Sequence, residues 1–265
     1  MAAFKSLACV LALLTFSDPA AAAGQRILVQ STTSTENSGL YDHLVPLFEA
    51  QTGWDVDVIA VGTGQAIRNA EAGDADVLLV HARASEEAFV AAGYGIERFD
   101  LMYNDFVIIG PASDPAGIRD MTLDEALSAL AQGTAPFISR GDDSGTHKKE
   151  ISLWGGNAPA GNWYRESGSG MGATIRVAIE SSGYTLTDRA TWVAFGAKGE
   201  HEILLAGDAA LFNQYGIIAV NPKTHPHVNA KGAQALIDWL LSPTGQKAIA
   251  AFRIAGQQLF YPNAK

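Results

Sequence analysis

The 265-residue chain carries 18 basic and 28 acidic residues, a formal net charge of −10, and one cysteine. Such acidity argues against nucleic acid or an anionic membrane surface as partner. The cysteine, Cys9, lies in an N-terminal processing segment, so the mature chain is expected to hold neither a disulfide nor a thiolate-ligated metal.

Residues 1–23 read as a signal peptide for export to a bacterial periplasm. Lys5 gives the positive start, Leu7 to Phe16 the apolar run, and Ala21, Ala22 and Ala23 the small-residue cleavage pattern. The apolar run is too short to span a bilayer, and it continues past Cys9, which disfavours a lipid anchor. Removing Lys5 and Asp18 takes one charge of each sign, so the net charge stays at −10.

Short β-rich runs then alternate with helical patterns. Ile27 to Gln30 is a buried strand, followed by a Ser/Thr cluster and a helix from about Ser38 to Ala50. Trp54 to Val61 alternates as a strand, Thr63 to Ala72 reads as a helix, and Asp76 to Val80 as a third strand. A helix from about Ser85 to Ala92 completes a βαβαβ rhythm, which predicts a parallel sheet with ligands at the strand carboxyl ends. Phe106 to Gly110 is a further strand, and Thr122 with Glu125 predicts a capping box for a helix over 123–131.

Phe137 to Ser139 is a strand leading into Ser139-Arg-Gly-Asp-Asp-Ser-Gly-Thr-His147, and a helix from about Ser144 to Trp154 follows. Gly168 to Gly172 opens a helix to about Ser182, Ile217 to Val220 is a late strand, and two amphipathic helices (about 231–241 and 244–252) end the chain. With no flexible linker, this rhythm predicts two α/β lobes joined by crossing strands near Tyr103–Val107 and Asn213–Ile218. Lobe I is expected over 24–105 and 216–265 and lobe II over 106–215, with a hinge that closes around a ligand.

Three strand-to-helix junctions carry similar chemistry. Ser31, Thr32, Thr33, Ser34 and Thr35 are consecutive hydroxyl residues after a strand; Gly62-Thr63-Gly64 follows another. At the third, Arg140 supplies a guanidinium ahead of the hydroxyls of Ser144 and Thr146, and Gly145 offers a backbone N–H. Free N–H groups at a helix start, hydroxyls and a guanidinium are what a tetrahedral oxyanion requires. Any one cluster alone is better explained by helix capping; three together with one arginine point to convergence.

Asp142 and Asp143 are expected to orient Arg140 and form a turn. His81, after its strand, either donates to an anion or merely closes the strand. Asn213 and Tyr215 read as hinge residues before ligand contacts, and His225 and His227 as a surface feature before a metal pair. The glycine run at 168–172 lacks the lysine and hydroxyl of a P-loop. No metal or other cofactor is called for. Sulfate, molybdate and tungstate are fully ionised near neutral pH and need donors only, whereas phosphate benefits from an acceptor. The competing class is an exported hydrolase with Ser144 as nucleophile, assisted by Asp143 or His147; no separate base and orienting pair supports it.

These residues resemble the tungstate-binding proteins of bacterial tungstate ABC importers, the TupA type. The resemblance is carried by Ser31-Thr-Thr-Ser-Thr35 with Ser38-Gly-Leu40, Val61-Gly-Thr-Gly-Gln65, Gly73-Asp-Ala-Asp-Val-Leu-Leu-Val-His-Ala-Arg83 and Met102-Tyr-Asn-Asp-Phe106. The Arg140 motif, Tyr184-Thr-Leu-Thr-Asp-Arg189 and Leu259-Phe-Tyr-Pro-Asn263 extend it over nearly the whole mature chain. It implies a two-lobed periplasmic binding protein of type II, each lobe a mostly parallel sheet flanked by helices. Such a protein captures tungstate; here a monomer is expected, with molybdate the closest competitor and phosphate or sulfate next. It delivers the anion to an ABC permease. Ser31 stands where the family has threonine, and Arg140 takes the place of its arginine. The Arg140 spacing is also similar to that of phosphate-binding proteins. His81 stands where those carry an acceptor aspartate, which favours a deprotonated dianion.

Overall fold

The structure, a computed structural model, describes residues 26–265; the signal peptide read at 1–23 lies outside them. Three parallel strands, β1 (Arg26–Thr32), β2 (Asp55–Val61) and β3 (Val77–Val80), form one side of the first sheet. Between them run α1 (Thr33–Asn37), α2 (Leu40–Thr52) and α3 (Thr63–Ala72), and α4 (Arg83–Ala91) follows β3. The 17-residue strand β4 (Gly95–Pro111) then runs through both halves of the molecule.

The second half contains α5 (Leu123–Leu130), β5 (Phe137–Ser139), α6 (Gly145–Leu153), β6 (Tyr164–Glu166) and α7 (Met171–Glu180). After them come β7 (Thr185–Asp188), α8 (Arg189–Ala194) and β8 (His201–Leu205). The chain returns through β9 (Phe212–Val220) and ends with α9 (Ala230–Leu241), α10 (Pro243–Ala251) and the short strands β10 (Arg253–Ile254), β11 (Gln257–Gln258) and β12 (Tyr261–Pro262). The first sheet has the order β12-β4-β9-β3-β1-β2. β4 pairs with β9 as far as Asp105↔Phe212, and from Phe106↔Asp188 onward it pairs with β7 and β8. This is the two-lobed α/β architecture of periplasmic binding proteins.

Parallel pairing is narrower than a mostly parallel sheet would require. Among the described residues it is confined to β2-β1-β3 and β5-β6, with an isolated bridge between Phe137 and Tyr184. The reason is the crossing: β9 brings the chain back against the outbound β4, so it lies antiparallel to β4 and also to β3.

Alternation along β3 explains its unbroken burial. Val77 and Leu79 pack with Ile27, Val29 and Phe48 on one face, while Leu78 and Val80 pack with Ala66, Ile67 and Phe89 on the other. A strand covered on both faces reads as a continuous apolar run, and each such side chain contributes roughly 1.5–3 kcal/mol on burial. The second half repeats the scheme: Phe106 and Ile108 face Leu127 and Leu186, and Val107 and Ile109 face Met171 and Ile175. The capping box of α5 is present, with Thr122 and Glu125 exchanging both bonds.

Candidate functional site

Register places the hydroxyl-rich loops together. Thr32 pairs with Val61 at the carboxyl ends of β1 and β2, so the turns into α1 and α3 lie side by side. Val80 pairs with Gly216, which sets His81 beside β9, its ring stacked on Tyr215 at 4.9 Å between centroids.

The hydroxyls divide between structural and free roles. Thr32 caps α1, its Oγ1 accepting from the Thr35 N–H at 3.5 Å and lying 3.1 and 2.8 Å from the Ser34 and Thr35 hydroxyls. Ser31 is committed to the sheet: its hydroxyl donates to the Leu79 carbonyl at 2.7 Å and touches the Tyr41 hydroxyl. Ser144 caps α6 by accepting from the His147 N–H at 3.2 Å. Among the described residues Thr146 Oγ1 is buried without a hydrogen-bond partner, a condition that costs roughly 1–3 kcal/mol when nothing satisfies it.

Arg140 is only 1% exposed. Its Nε–H donates to the Ser169 carbonyl at 3.2 Å and its Nη2 pairs with Asp142. Asp142 also accepts from the Ser144 N–H at 3.3 Å, so one carboxylate orients the guanidinium and closes the turn. Asp143 adopts a left-handed φ of 57°. Its carbonyl accepts from the Gly64 N–H at 3.4 Å, which joins the Arg140 loop to the start of α3.

A second contact joins the halves. The Gly145 N–H donates to Thr63 Oγ1 at 2.8 Å. A Cβ on Gly145 would lie 2.8 Å from His81 Cε1 and 3.0 Å from Thr63 Oγ1, so only glycine permits this approach. Thr33 Oγ1 comes within 3.9 Å of the position a Cβ on Gly170 would take, which brings the start of α7 to the start of α1. Ser31, Thr32, Thr33, Ser34, Thr63, His81, Arg140, Ser144, Gly145 and Thr146 are thus gathered at the junction of the halves, with Ser31 turned into the sheet.

Burial pushes the His81 imidazole down to about 4; its hydrogen bond to the Asn213 carbonyl oxygen opposes this, and the positive field of Arg140 adds to it. The ring is therefore neutral near pH 7. Asn213 gives its Nδ2–H to Asn104 Oδ1 at 2.6 Å and so takes the His81 Nδ1–H on its carbonyl oxygen at 3.0 Å. That leaves Nε2 to accept from the Ser34 hydroxyl at 3.2 Å. Toward Ser34, His81 is an acceptor.

Three residues of this neighbourhood escaped the sequence reading. Asp188 is fully buried and caps α8; Thr191 donates to Asp188 at 2.6 Å and to the Ser34 carbonyl at 3.2 Å. Burial raises the Asp188 carboxyl, against the pull of its Thr191 bonds and the Arg140 charge. Ser169 holds Arg140 through its carbonyl. The Asp188-to-Thr191 spacing was a readable cap signal, whereas nothing in sequence tied Ser169 to Arg140.

Chemically, the site presents neutral donors around one buried cation. A nucleophile and base are not arranged: the Ser144 hydroxyl accepts a backbone N–H, and His147 Nδ1 accepts from the Asp143 N–H at 3.1 Å. Among the described residues no group of three or more His, Cys, Asp or Glu is placed to hold a metal ion.

The model of the PBP superfamily domain matches residues 18–244. The chain is 46% identical over 245 residues to the tungstate-binding protein TupA of Peptoclostridium acidaminophilum, covering 90% of this chain and 86% of that one. The chain belongs to the TupA family of the PBP superfamily. Solved structures agree. The tungstate-binding protein TupA of Desulfovibrio alaskensis G20 superposes with a TM-score of 0.78 at 48% identity, over 91% of this chain and 99% of that one. The tungstate ABC transporter structure from Geobacter sulfurreducens gives 0.80 at 54% identity, over 86% and 99%. TupA is a family of transport substrate-binding proteins, not of enzymes.

Proposed function

We propose that this protein is a periplasmic receptor that captures tungstate between its lobes and hands it to the membrane permease of an ABC importer, without catalysing a reaction. The observation that carries this reading is the meeting of the α1, α3 and α6 starts around buried Arg140, with Thr146 Oγ1 unpartnered among them. Helix starts supply free N–H groups and a favourable dipole to an anion, and the guanidinium supplies the charge. Relatives named for tungstate binding support the choice of anion.

The anion is held by Thr32, Thr33, Ser34 and Thr63 from lobe I and by Arg140, Ser144 and Thr146 from lobe II, while the Gly145 N–H orients the Thr63 hydroxyl across the junction. Ser31 and His81 act behind them, Ser31 through the sheet and His81 through Ser34. The lobe boundary falls at Asp105–Phe106, where β4 leaves one sheet for the other, and near Phe212, where the chain enters β9. Export by the N-terminal signal peptide fits a chain in which no described helix is long and apolar enough to cross a membrane.

The test is calorimetric titration of anion-stripped protein with tungstate, molybdate, sulfate and phosphate, followed by X-ray scattering. Tungstate should bind most tightly, at one anion per chain, and reduce the radius of gyration. Preference for phosphate or sulfate would refute the assignment, and tight binding without contraction would refute capture between lobes.

A further inference from the structure

Beside the Arg140 cluster lies a separate cleft of about 410 Å³. Arg83 from α4 and Lys148 and Lys149 from α6 line it, together with Phe106 of β4 and Phe212 of β9. His81 and Gly145 also line it, so the cleft shares a wall with the candidate anion site. No carboxylate lines it, although the chain has 28 acidic residues against 18 basic ones. A concave surface of one sign, set in a protein of the opposite net charge, is a local attractor for ions the rest of the molecule repels.

The three cations are not equivalent. Arg83 is paired with Glu87 at 2.8 Å and Asp100 at 3.5 Å, and Lys148 with Asp143 at 2.5 Å. Lys149 is half-buried and forms no salt bridge among the described residues. Burial pulls its ammonium below the usual lysine range, with the Asp208 charge opposing. A partly desolvated, unpaired cation projects a stronger field than one exposed or neutralised.

We propose that this cleft is a vestibule in which Lys149 draws a small oxyanion dianion toward the Arg140 site, setting the rate of capture rather than holding the bound ion. The role presupposes the oxyanion reading above. Its walls come from both halves of the chain, so the cleft must reshape as the lobes part about β4 and β9. The anion then passes His81 and Gly145 before the Gly145–Thr63 bond closes behind it.

Stopped-flow mixing of anion-stripped protein with sodium tungstate, read by tryptophan fluorescence and paired with calorimetry, tests this. At low salt, Lys149→Gln should slow association about three- to fivefold and Lys149→Glu about tenfold, with dissociation unchanged. Affinity should weaken by the same factors, and the differences should shrink as salt screens the field. Lys231→Gln removes an exposed cation outside the cleft and should match wild type. Association of Lys149→Glu at the wild-type rate would overturn the vestibule, as would an effect confined to dissociation. Saturation at two anions per wild-type chain would make the cleft a resident site and equally overturn it. Wild-type protein that fails to bind tungstate would remove the receptor reading itself, whereas normal binding with unaltered variant rates removes only the vestibule.

Discussion

Both halves bring neutral donors to their junction, and only one of them brings a charge. The first half brings Thr32, Thr33, Ser34, Thr63 and a neutral His81, groups that carry no charge. The second brings Arg140, whose charge is steadied by Asp142 and whose position is fixed by Ser169. Neither set is sufficient: hydroxyls alone do not compensate a buried dianion, and one guanidinium does not surround a tetrahedron. On the reading proposed above, affinity is a property of the closed molecule, and contacts between halves should matter as much as contacts to the ion.

Removing the charged half of the contrast should have the largest effect. Arg140→Ala is expected to cost about 2–5 kcal/mol of tungstate binding, read by calorimetry, with the circular-dichroism spectrum retained. Arg140→Lys should recover only part, because an ammonium lacks the planar fork. Affinity near wild type in the alanine variant would dissociate Arg140 from the site.

Keeping both chemistries but preventing their approach comes next. Gly145→Ala places a Cβ against His81 Cε1, and that ring is held on both nitrogens. Scattering of this variant should no longer contract on adding tungstate, and affinity should fall. Thr63→Val is milder: the Gly145 N–H loses its acceptor, a loss of about 1–3 kcal/mol, while Thr63→Ser should stay near wild type.

The smallest effects concern protons. His81 has a folded pKa of about 4 against an ordinary value of 6.5, so the native state favours the neutral ring. That contribution is present above about pH 6.5 and is lost as pH falls toward 4. Melting temperature should drop over that window in wild type and drop less in His81→Asn; identical slopes would clear His81. Glu150 has the opposite sign. Burial raises its carboxyl to about 7, against the hydrogen bond from Tyr164, so the stability it confers is present at acidic pH and lost as pH rises through 7. Glu150→Gln should flatten that alkaline side, and an unchanged slope would place the titration elsewhere.

Much of both lobes was legible because their signals are local. Thr63 to Ala72 and Phe137 to Ser139 occur with the bounds that periodicity gave, and the α5 cap is where Thr122 and Glu125 placed it. The first half of β4 was not read as a strand. Glu97, Arg98 and Asp100 interrupt its pattern, and Arg98 is accommodated by Asp100 of its own strand and by buried Glu86, which is contributed by α4. The turn α1 was hidden for another reason: hydroxyl residues are weak helix formers, and five residues persist there because Thr32 caps them and Thr191 holds the Ser34 carbonyl. At the site, residue types were legible and their division of labour was not. That Ser31 serves Leu79, or that Ser169 serves Arg140, follows from long-range placement that spacing does not encode.

β4 is a single unbroken strand that supplies hydrogen bonds to both sheets. A chain severed between Asp105 and Phe106 would leave each sheet without a strand it needs, so neither fragment is a foldable unit. Lobes that part and close on the reading proposed above are still inseparable as folding units: calorimetry should record one cooperative melting transition. Loss of a core residue in either lobe, such as Ile108 or Leu101, should lower that one transition without splitting it in two.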